Sequence, residues 1–581
     1  MNATEVARVL DEIATLGELN GENPFRTRAF ANAARALEAS GADLPALAAA
    51  GELTSIKGIG EGIAQIVREL VQTGRSSLYD ELRAQTPSGL FELLKVPGLG
   101  AKRIHTLHAE LGVETLDALE DAARAGRVAA LGGFGAKTEQ KLLEGVAFVR
   151  TTLDRRRYPQ AMDVAARLLE WLRARDGVQA AEIVGALRRR LEVVEAVELL
   201  AASDAPAPLL AAFRALGAPA EGAGADEGCA EIRLPDGLRA TLRCVPPRAW
   251  VAAVVWETGG DTHRAALAAR AAERGLRLER DGLWRGAAPE RLQREAELYA
   301  ALGLQYVPPE LREGLGELDA AAAGALPRLV ELSDLRGTFH CHTTYSDGKA
   351  TLAEMAEAAR AKGWQYLGIA DHSPYAAYAG GLKPAAVTKQ HREIDAWNRE
   401  HGGAGQGRFR LFKGTESDIL PDGSLDYDAD VLARFDYVVG SVHSGFNLSR
   451  REMTDRVLRA IENPHLTMLG HPTGRLLLGR SGFAIELDEV IDAAAAHGVL
   501  IEINADPHRL DLDWRHVRQA AQKGILIPVN PDAHSTGGLD NVAFGVNMAR
   551  KGWLQARDVL NTWTLEEVEE FFAQRKQART R

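Results

Sequence analysis

Two periodicities divide the chain. From residue 1 to about 150, Ala, Leu and Glu recur at helical spacing, starting with an amphipathic run over Met1 to Glu18, and short glycine motifs interrupt the pattern. A helical region is expected there. From near Leu329 onward, short β-rich apolar runs alternate with amphipathic helical patterns such as Leu352 to Ala361 and Leu487 to His497. These runs stop at polar residues: Tyr366 to His372, Leu411 to Glu416, Tyr437 to His443, Leu466 to His471, and Ile525 to His534, which brings in Asp532. Strand alternating with helix, with polar residues gathered at strand C-termini, is how an α/β barrel builds a site.

The stretch Gly337 to Gly348 opens this pattern with His340 and His342 and closes it on a Ser-Asp-Gly turn. On a strand, residues i and i+2 share a face, so both imidazoles can meet one ion while Cys341 turns into packing. Asp347 adds an oxygen ligand from the turn. A lone His-x-His also serves as a packing or hydrogen-bonding pair. Its repetition as polar strand ends along the domain favours a metal site.

A chain of 581 residues far exceeds one hydrophobic core, so several domains are expected. With 46% hydrophobic and 26% charged residues, it has the make-up of a soluble globular protein. No apolar run approaches a membrane span and no cleavable signal pattern opens the chain, so a cytoplasmic protein without a membrane partner is expected. Cys229, Cys244 and Cys341 form no Cys-x-x-Cys pair, which excludes a disulfide framework or cysteine zinc site. The net charge of −11 argues against a broad electrostatic clamp on nucleic acid. Any DNA contact must be local.

The order His-x-His, Ser-Asp-Gly, Asp-His, Gly-x-Glu, His, Gly-His-Pro, Asp-Ala-His closely resembles the PHP (polymerase and histidinol phosphatase) superfamily. The resemblance implies a distorted (β/α)7 barrel holding up to three divalent metals. Implied ligands are His340, His342, Asp347, His372, Glu416, His443, His471, Asp532 and His534, with His340, His342, Glu416, His443 and Asp532 carrying catalysis. Thr338 replaces the usual Asp before the first His and leaves the ligand set intact. Mixed imidazole and carboxylate ligands suit Mn²⁺, Zn²⁺ or Fe²⁺ better than Mg²⁺, and family precedent favours Mn²⁺. Asp371 is expected to support its neighbour rather than ligate, and Asp506 and His508 to lie in a loop. Arg475 is either a phosphate contact or structural.

In the helical region, Ile56 to Gly60, Val96 to Gly100 and Leu131 to Gly135 share a Gly-apolar-Gly turn leading into a helix. Amides at such a helix start can hold a DNA phosphate. The expected contacts are Gly58, Gly60, Gly98, Gly100, Gly133 and Gly135, with Lys102, Arg103 and Lys137 just downstream. One such turn can simply join two helices. Three in tandem suggest a grip on the sugar-phosphate backbone that reads no bases.

Together with Gly21 to Phe30, these hairpins resemble the N-terminal domain of family X DNA polymerases, which in bacteria carry a C-terminal PHP domain. The resemblance covers nearly the whole chain. It implies a multidomain α/β protein: a helix-hairpin-helix domain at 1–85, a fingers-like one at 86–153, an α+β nucleotidyltransferase-like palm at 154–250, a thumb at 251–318, a linker at 319–332 and the PHP domain at 333–581. Gly62 and Ile66 stand where lyase-competent relatives place their lysine. Val184 to Arg189 resembles the phosphate-binding Gly-Ser-x-Arg-Arg turn, with Ala186 for serine and Arg188 and Arg189 as expected DNA contacts.

The palm chemistry of that family needs three carboxylates around two metals. Here the aligned positions read Ala196, Glu198 and Thr241, and neither Glu192 nor Glu195 is in register to substitute. Templated polymerisation is therefore expected to be weak or absent. Glu257 to Gly260 resembles a thumb turn, and Tyr306 to Gly316, with the Ala/Gly-rich run to Ala325, reads as a linker. The expected function is a monomeric, metal-dependent 3′-5′ exonuclease of DNA repair, acting on gapped, nicked or single-stranded 3′ ends. The alternatives are a PHP phosphatase acting on a small phosphomonoester and a noncatalytic scaffold at DNA ends.

Overall fold

A computed structural model describes residues 1, 3–40, 44–220, 228–402 and 408–578. The chain forms two compact units, Met1–Leu153 and Asp154–Arg581. Among the described residues, no helix is long and apolar enough to cross a membrane.

The first unit is helical and holds two cores. One gathers Val6 through Leu82, including Leu10, Leu37 and Val67. The other gathers Leu90 through Val149 and takes in Leu19. The three glycine turns adopt one geometry. Gly58, Gly98 and Gly133 have φ of 99°, 80° and 84°, a region open to glycine but costly for L side chains. In each turn the middle amide closes back three residues, Ile59 to Ile56, Leu99 to Val96 and Phe134 to Leu131. Gly60, Gly100 and Gly135 then stand at the N-caps of helices Glu61–Thr73, Ala101–Leu111 and Ala136–Thr152.

The second unit begins with a five-stranded sheet in the order Ala180–Ile183, Ala196–Ala202, Arg239–Val245, Cys229–Arg233, Ala218–Pro219. Alternate residues of these strands are buried. They pack against helices Tyr158–Arg173 and Pro206–Arg214 through Leu169, Leu172, Leu210 and Phe213. Ala196, Glu198, Thr241 and Glu231 lie on the other, half-exposed face.

The run from Tyr306 to Ala325 departs from the linker expectation. Glu310, Arg312 and Glu317 are buried within it. Arg312 pairs with Glu295 at 2.7 Å and stacks over Tyr299 and Tyr306. Glu317 meets His263 Nδ1 at 2.6 Å, and the other ring nitrogen meets the Tyr299 hydroxyl. Helix Glu317–Ala322 continues the run. Gly and Pro marked its turns, but the charges are internal counter-ions, so the segment is a packed strap.

The remainder is a curled parallel sheet, a half-barrel. Its strands are β1 Gly337–Cys341, β2 Tyr366–Ile369, β3 Arg410–Asp418, β4 Tyr437–Ser441, β5 Met468–Leu469 and β6 Leu500–Ile501, hydrogen-bonded in chain order. A further parallel pair, β7 Ile503–Asn504 and β8 Val529–Asn530, follows directly. Phe339, Tyr366, Phe412 and Tyr437 fill one end, with Phe572 of helix Leu565–Ala578 stacked on Tyr437. Strands β3 and β2 pass this plug through Gly414 and Gly368, where a Cβ would stand 2.2 Å and 2.5 Å from the Tyr437 ring and hydroxyl. The opposite end, at the strand C-termini, stays polar.

Candidate metal centre

The nine side chains expected as ligands converge at that polar end. β1 delivers His340 and His342, β2 His372, β3 Glu416, β4 His443, β5 His471, and β8 Asp532 and His534. Asp347 arrives from the turn after β1. Three groups lie with ligand atoms within 4.8 Å of one another: His342, Asp347, His372 and His534; His340, His342 and Asp532; His372, Glu416 and His443. Shared His342 and His372 join them into one centre. His471 belongs to none of the three, yet its Nε2 lies 3.0 Å from Glu416 Oε1.

The strand rule that pairs His340 with His342 holds only loosely. The pairing of β1 with β2 shifts register between Thr338 and Cys341, and His340 has φ of 56°. Both imidazoles reach the centre because the backbone kinks. Cys341 is buried in packing, as expected. His471 and Asp532 also have positive φ, at 26° and 52°. Such backbone in three convergent side-chain carriers is stored strain of the kind found at functional sites.

Buried donors without partners test whether metals fit. His340 Nε2 lies 3.4 Å from Glu416 and 3.6 Å from Asp532, and His342 Nδ1 lies 3.8 Å from Asp347, all without a hydrogen bond. Orphaned imidazole nitrogens facing carboxylates are costly in a core and natural around a cation. Burial pushes His342 down to about 4, which keeps the neutral form that offers a lone pair. Burial opposes charge on Glu416, but His443, His372 and His340 outweigh it and hold the carboxyl well below its ordinary value. The donor set is consistent with a multi-metal site.

Several supporting residues escaped the sequence reading. Glu502, fully buried, accepts from His340 Nδ1 at 2.8 Å, Asn530 Nδ2 at 2.8 Å, the His471 amide at 2.7 Å and Asn504 Nδ2 at 3.2 Å. A carboxylate on Nδ1 turns Nε2 of His340 toward the centre. Asp418 does the same for His443 at 3.1 Å. Asp371 supports rather than ligates: it accepts from Thr343, Ser346 and Gln390, fixing the loop that carries Asp347. Thr338 donates to the Val529 carbonyl, a packing role. Arg475 is structural, held by Asp513 and the Arg509 and Leu510 carbonyls. Asp506 and His508 pair with each other in a loop.

Elsewhere the placement differs. Gly58, Gly60, Gly98, Gly100, Gly133, Gly135, Lys102, Arg103 and Lys137 are all exposed, as a backbone grip needs. Arg188 and Arg189 are committed within the protein: Arg188 bonds Glu295 at 2.5 Å and the Thr258 hydroxyl, and Arg189 bonds Glu313 at 3.1 Å and the Thr258 carbonyl. Acids distant in sequence thus neutralise both guanidiniums in this structure. Glu192 holds Trp514 Nε1 and Arg515 of the PHP part, and Glu195 pairs with Arg155.

Comparison with known proteins now adds the family. The helix-hairpin-helix domain matches residues 1–76, the SAM-like helix-hairpin-helix tandem 90–147, the DNA polymerase beta thumb 253–313 and the PHP domain 338–506. The DNA polymerase/3′-5′ exonuclease PolX of Bacillus subtilis is 36% identical over 575 residues, covering 98% of this chain and 99% of that protein. The chain belongs to the bacterial PolX family. Probable phosphatases of Acetivibrio thermocellus and Caldicellulosiruptor saccharolyticus are 28% and 31% identical over 169 and 174 residues. Those matches cover 28% of this chain and 63% and 64% of the relatives. The chain joins helical hairpins, a polymerase-type thumb and a PHP domain.

Proposed function

We propose that this chain is a metal-dependent 3′-5′ exonuclease that hydrolyses DNA phosphodiesters at the PHP centre. The observation that carries the reading is the convergence of six imidazoles and three carboxylates, with buried ring nitrogens left open toward the carboxylates. The nine side chains named above would hold up to three divalent ions, with Mn²⁺ favoured over Zn²⁺ and Fe²⁺. Bound there, such ions supply an activated water and stabilise charge on the attacking and leaving oxygens of a phosphodiester. His340, His342, Glu416, His443 and Asp532 form the catalytic core of the reading. Glu502 and Asp418 fix the ring orientations of His340 and His443. Asp347 and His534, the most exposed of the nine, mark the mouth by which a strand end enters.

The exposed hairpin amides, with Lys102, Arg103 and Lys137, fit a sequence-independent hold on a DNA backbone at gapped, nicked or single-stranded ends. The bridge from Cys341 to Ala533 and the bond from the His342 amide to the Ala533 carbonyl support reading the curled sheet as a distorted (β/α)7 barrel. The five-stranded sheet reads as a palm with weak or absent templated polymerisation. The name of the Bacillus subtilis relative speaks for polymerase activity in the family. In this chain the contrary support is local: Ala196 and Thr241 offer no carboxylate, and the Glu198 carboxylate accepts from the Ala186 amide at 3.1 Å.

The test is a gapped primer-template assay with Mn²⁺, with and without nucleotides, comparing the chain with its His340→Ala/His342→Ala variant. Shortening lost in the variant, without extension in either, supports the reading. Nucleotide-dependent extension overturns the palm assignment. The likeness to probable phosphatases favours one second reading, hydrolysis of a small phosphomonoester. Failure of short DNA to compete with a chromogenic phosphomonoester would establish it.

A further inference from the structure

The turn after His372 presents an aromatic ring that the metal chemistry does not use. Tyr378 lies in the short helical turn Ala377–Ala379 and is 75% exposed. One exposed aromatic residue needs no explanation by itself. Three observations set this one apart.

The turn is rigid. Ala376 and Ala379 are buried, the Leu382 amide donates to the His372 carbonyl at 2.8 Å, and the Tyr375 amide donates to Asp426 at 2.5 Å. Gly381 lies so close to the Ser373 carbonyl that a Cβ there would stand 1.9 Å from its oxygen. The ring is also at the centre. Its centroid is 6.3 Å from that of His372. Finally, a cation shares this mouth. Arg509 lies 3.8 Å from Asp532.

A neutral ring held on a rigid turn, at a mouth that holds both a candidate metal centre and the Arg509 guanidinium, suits a ligand with a flat apolar face and an anionic link. A nucleotide unit has both. We infer that Tyr378 is the stacking platform for the base of the strand's terminal nucleotide, with Arg509 facing the adjoining phosphate. The inference rests on the exonuclease reading and deepens it. Stacking on an aromatic side chain tolerates every base, which suits an enzyme that trims ends of any sequence.

The experiment uses the full chain with Mn²⁺ and two single-stranded oligonucleotides, one with an ordinary 3′-terminal nucleotide and one with a 3′-terminal abasic analogue. Steady-state shortening is measured for the unaltered chain, Tyr378→Ala and Tyr378→Phe. The unaltered chain and Tyr378→Phe are expected to show a KM about tenfold lower for the ordinary end, the size of one base-aromatic stack, and Tyr378→Ala to treat both ends alike. Because the side chain is exposed, its truncation leaves the fold intact. An alanine variant that keeps the full preference overturns the inference alone. An unaltered chain that shortens neither oligonucleotide overturns the exonuclease reading and this inference with it.

Discussion

Replacing Glu502 by Gln probes the support beneath the metal centre without touching a ligand. Four donors converge on this carboxylate, two per oxygen: His340 Nδ1 and Asn530 Nδ2 on Oε2, the His471 amide and Asn504 Nδ2 on Oε1. An amide has one oxygen, so whichever end becomes NH2 faces two donors that have lost their acceptor. Each buried donor left unsatisfied costs about 1–3 kcal/mol, or about 2–6 kcal/mol for the pair. If the pair includes His340, its ring loses the contact that aims Nε2, and such losses typically weaken metal binding about 10–100-fold. Mn²⁺ present at a hundred times the dissociation constant stabilises a folded protein by about 2.7 kcal/mol. The same Mn²⁺ concentration would stabilise Glu502→Gln by only about 0.4–1.4 kcal/mol. Urea titrations with and without Mn²⁺ read both quantities, with His340→Ala marking loss of a ligand. A Gln variant with an unaltered metal-free midpoint and a full Mn²⁺ increment would refute the reasoning.

Other contacts make further predictions. Lys551→Met removes a fully buried ammonium that meets Glu313 at 2.6 Å and the Arg189 carbonyl at 3.0 Å; a loss of about 3 kcal/mol in denaturant unfolding is expected, and an unchanged midpoint would show the contact to be idle. Gly414→Ala drives a methyl to 2.2 Å from the Tyr437 ring, whose hydroxyl accepts from the His340 amide; about 1–3 kcal/mol of destabilisation and weaker Mn²⁺ binding should appear together in calorimetry. Burial pushes His263 below its ordinary value, and Glu317 is held low because the His263 bond and nearby backbone amides outweigh its burial. Unfolding thus lets both groups bind protons more readily, so stability present above pH 6.5 falls as pH drops through the ordinary histidine range and again below 4.5. His263→Gln should flatten the upper part of that acid limb in urea midpoints measured from pH 7.5 to 5.5, and an unchanged slope would count against it.

What could be read from the residues alone was what is local. The hairpins were visible because a Gly-apolar-Gly turn needs positive φ at its first glycine, which Gly58, Gly98 and Gly133 all adopt. Eight of the nine polar side chains were visible because they interrupt or end apolar runs, and Asp347 because it sits in a Ser-Asp-Gly turn. Glu502 was missed although it interrupts one too: it lies between Ile501 and Ile503 and faces the same interior, but a strand pattern does not say which buried acid meets which histidine. The kink at His340 was equally hidden, since the i, i+2 rule assumes regular backbone. Arg188, Arg189 and the strap hid their pairings for another reason. Their partners Glu295, Glu313 and Lys551 are brought together only by tertiary folding, so glycine, proline and charge looked like a solvated link.

The turn that carries Arg188 and Arg189 shows how such pairings bear on function. To bind a nucleotide phosphate there, the two guanidiniums would have to release Glu295 and Glu313, both largely buried. A buried carboxylate stripped of its partner costs about 3–5 kcal/mol, more than a phosphate contact readily returns. The backbone of the turn is engaged as well, since Ala186 N–H donates to Glu198. A Cβ on Gly185 would stand 1.7 Å from Glu198 Oε2, so that carboxylate fills the space against the turn. Meanwhile Lys551 joins the Arg189 carbonyl and Glu313 to a helix of the PHP part, and Glu192 joins Trp514 and Arg515. The turn therefore spends its donors on the protein's own acids and serves as a joint between the two parts. At the candidate metal centre the opposite holds: His340 Nε2 and His342 Nδ1, both buried, have no hydrogen bond to give up before they meet a cation. The two sites thus differ in one respect: donors are unspent among the PHP histidines and committed at the turn.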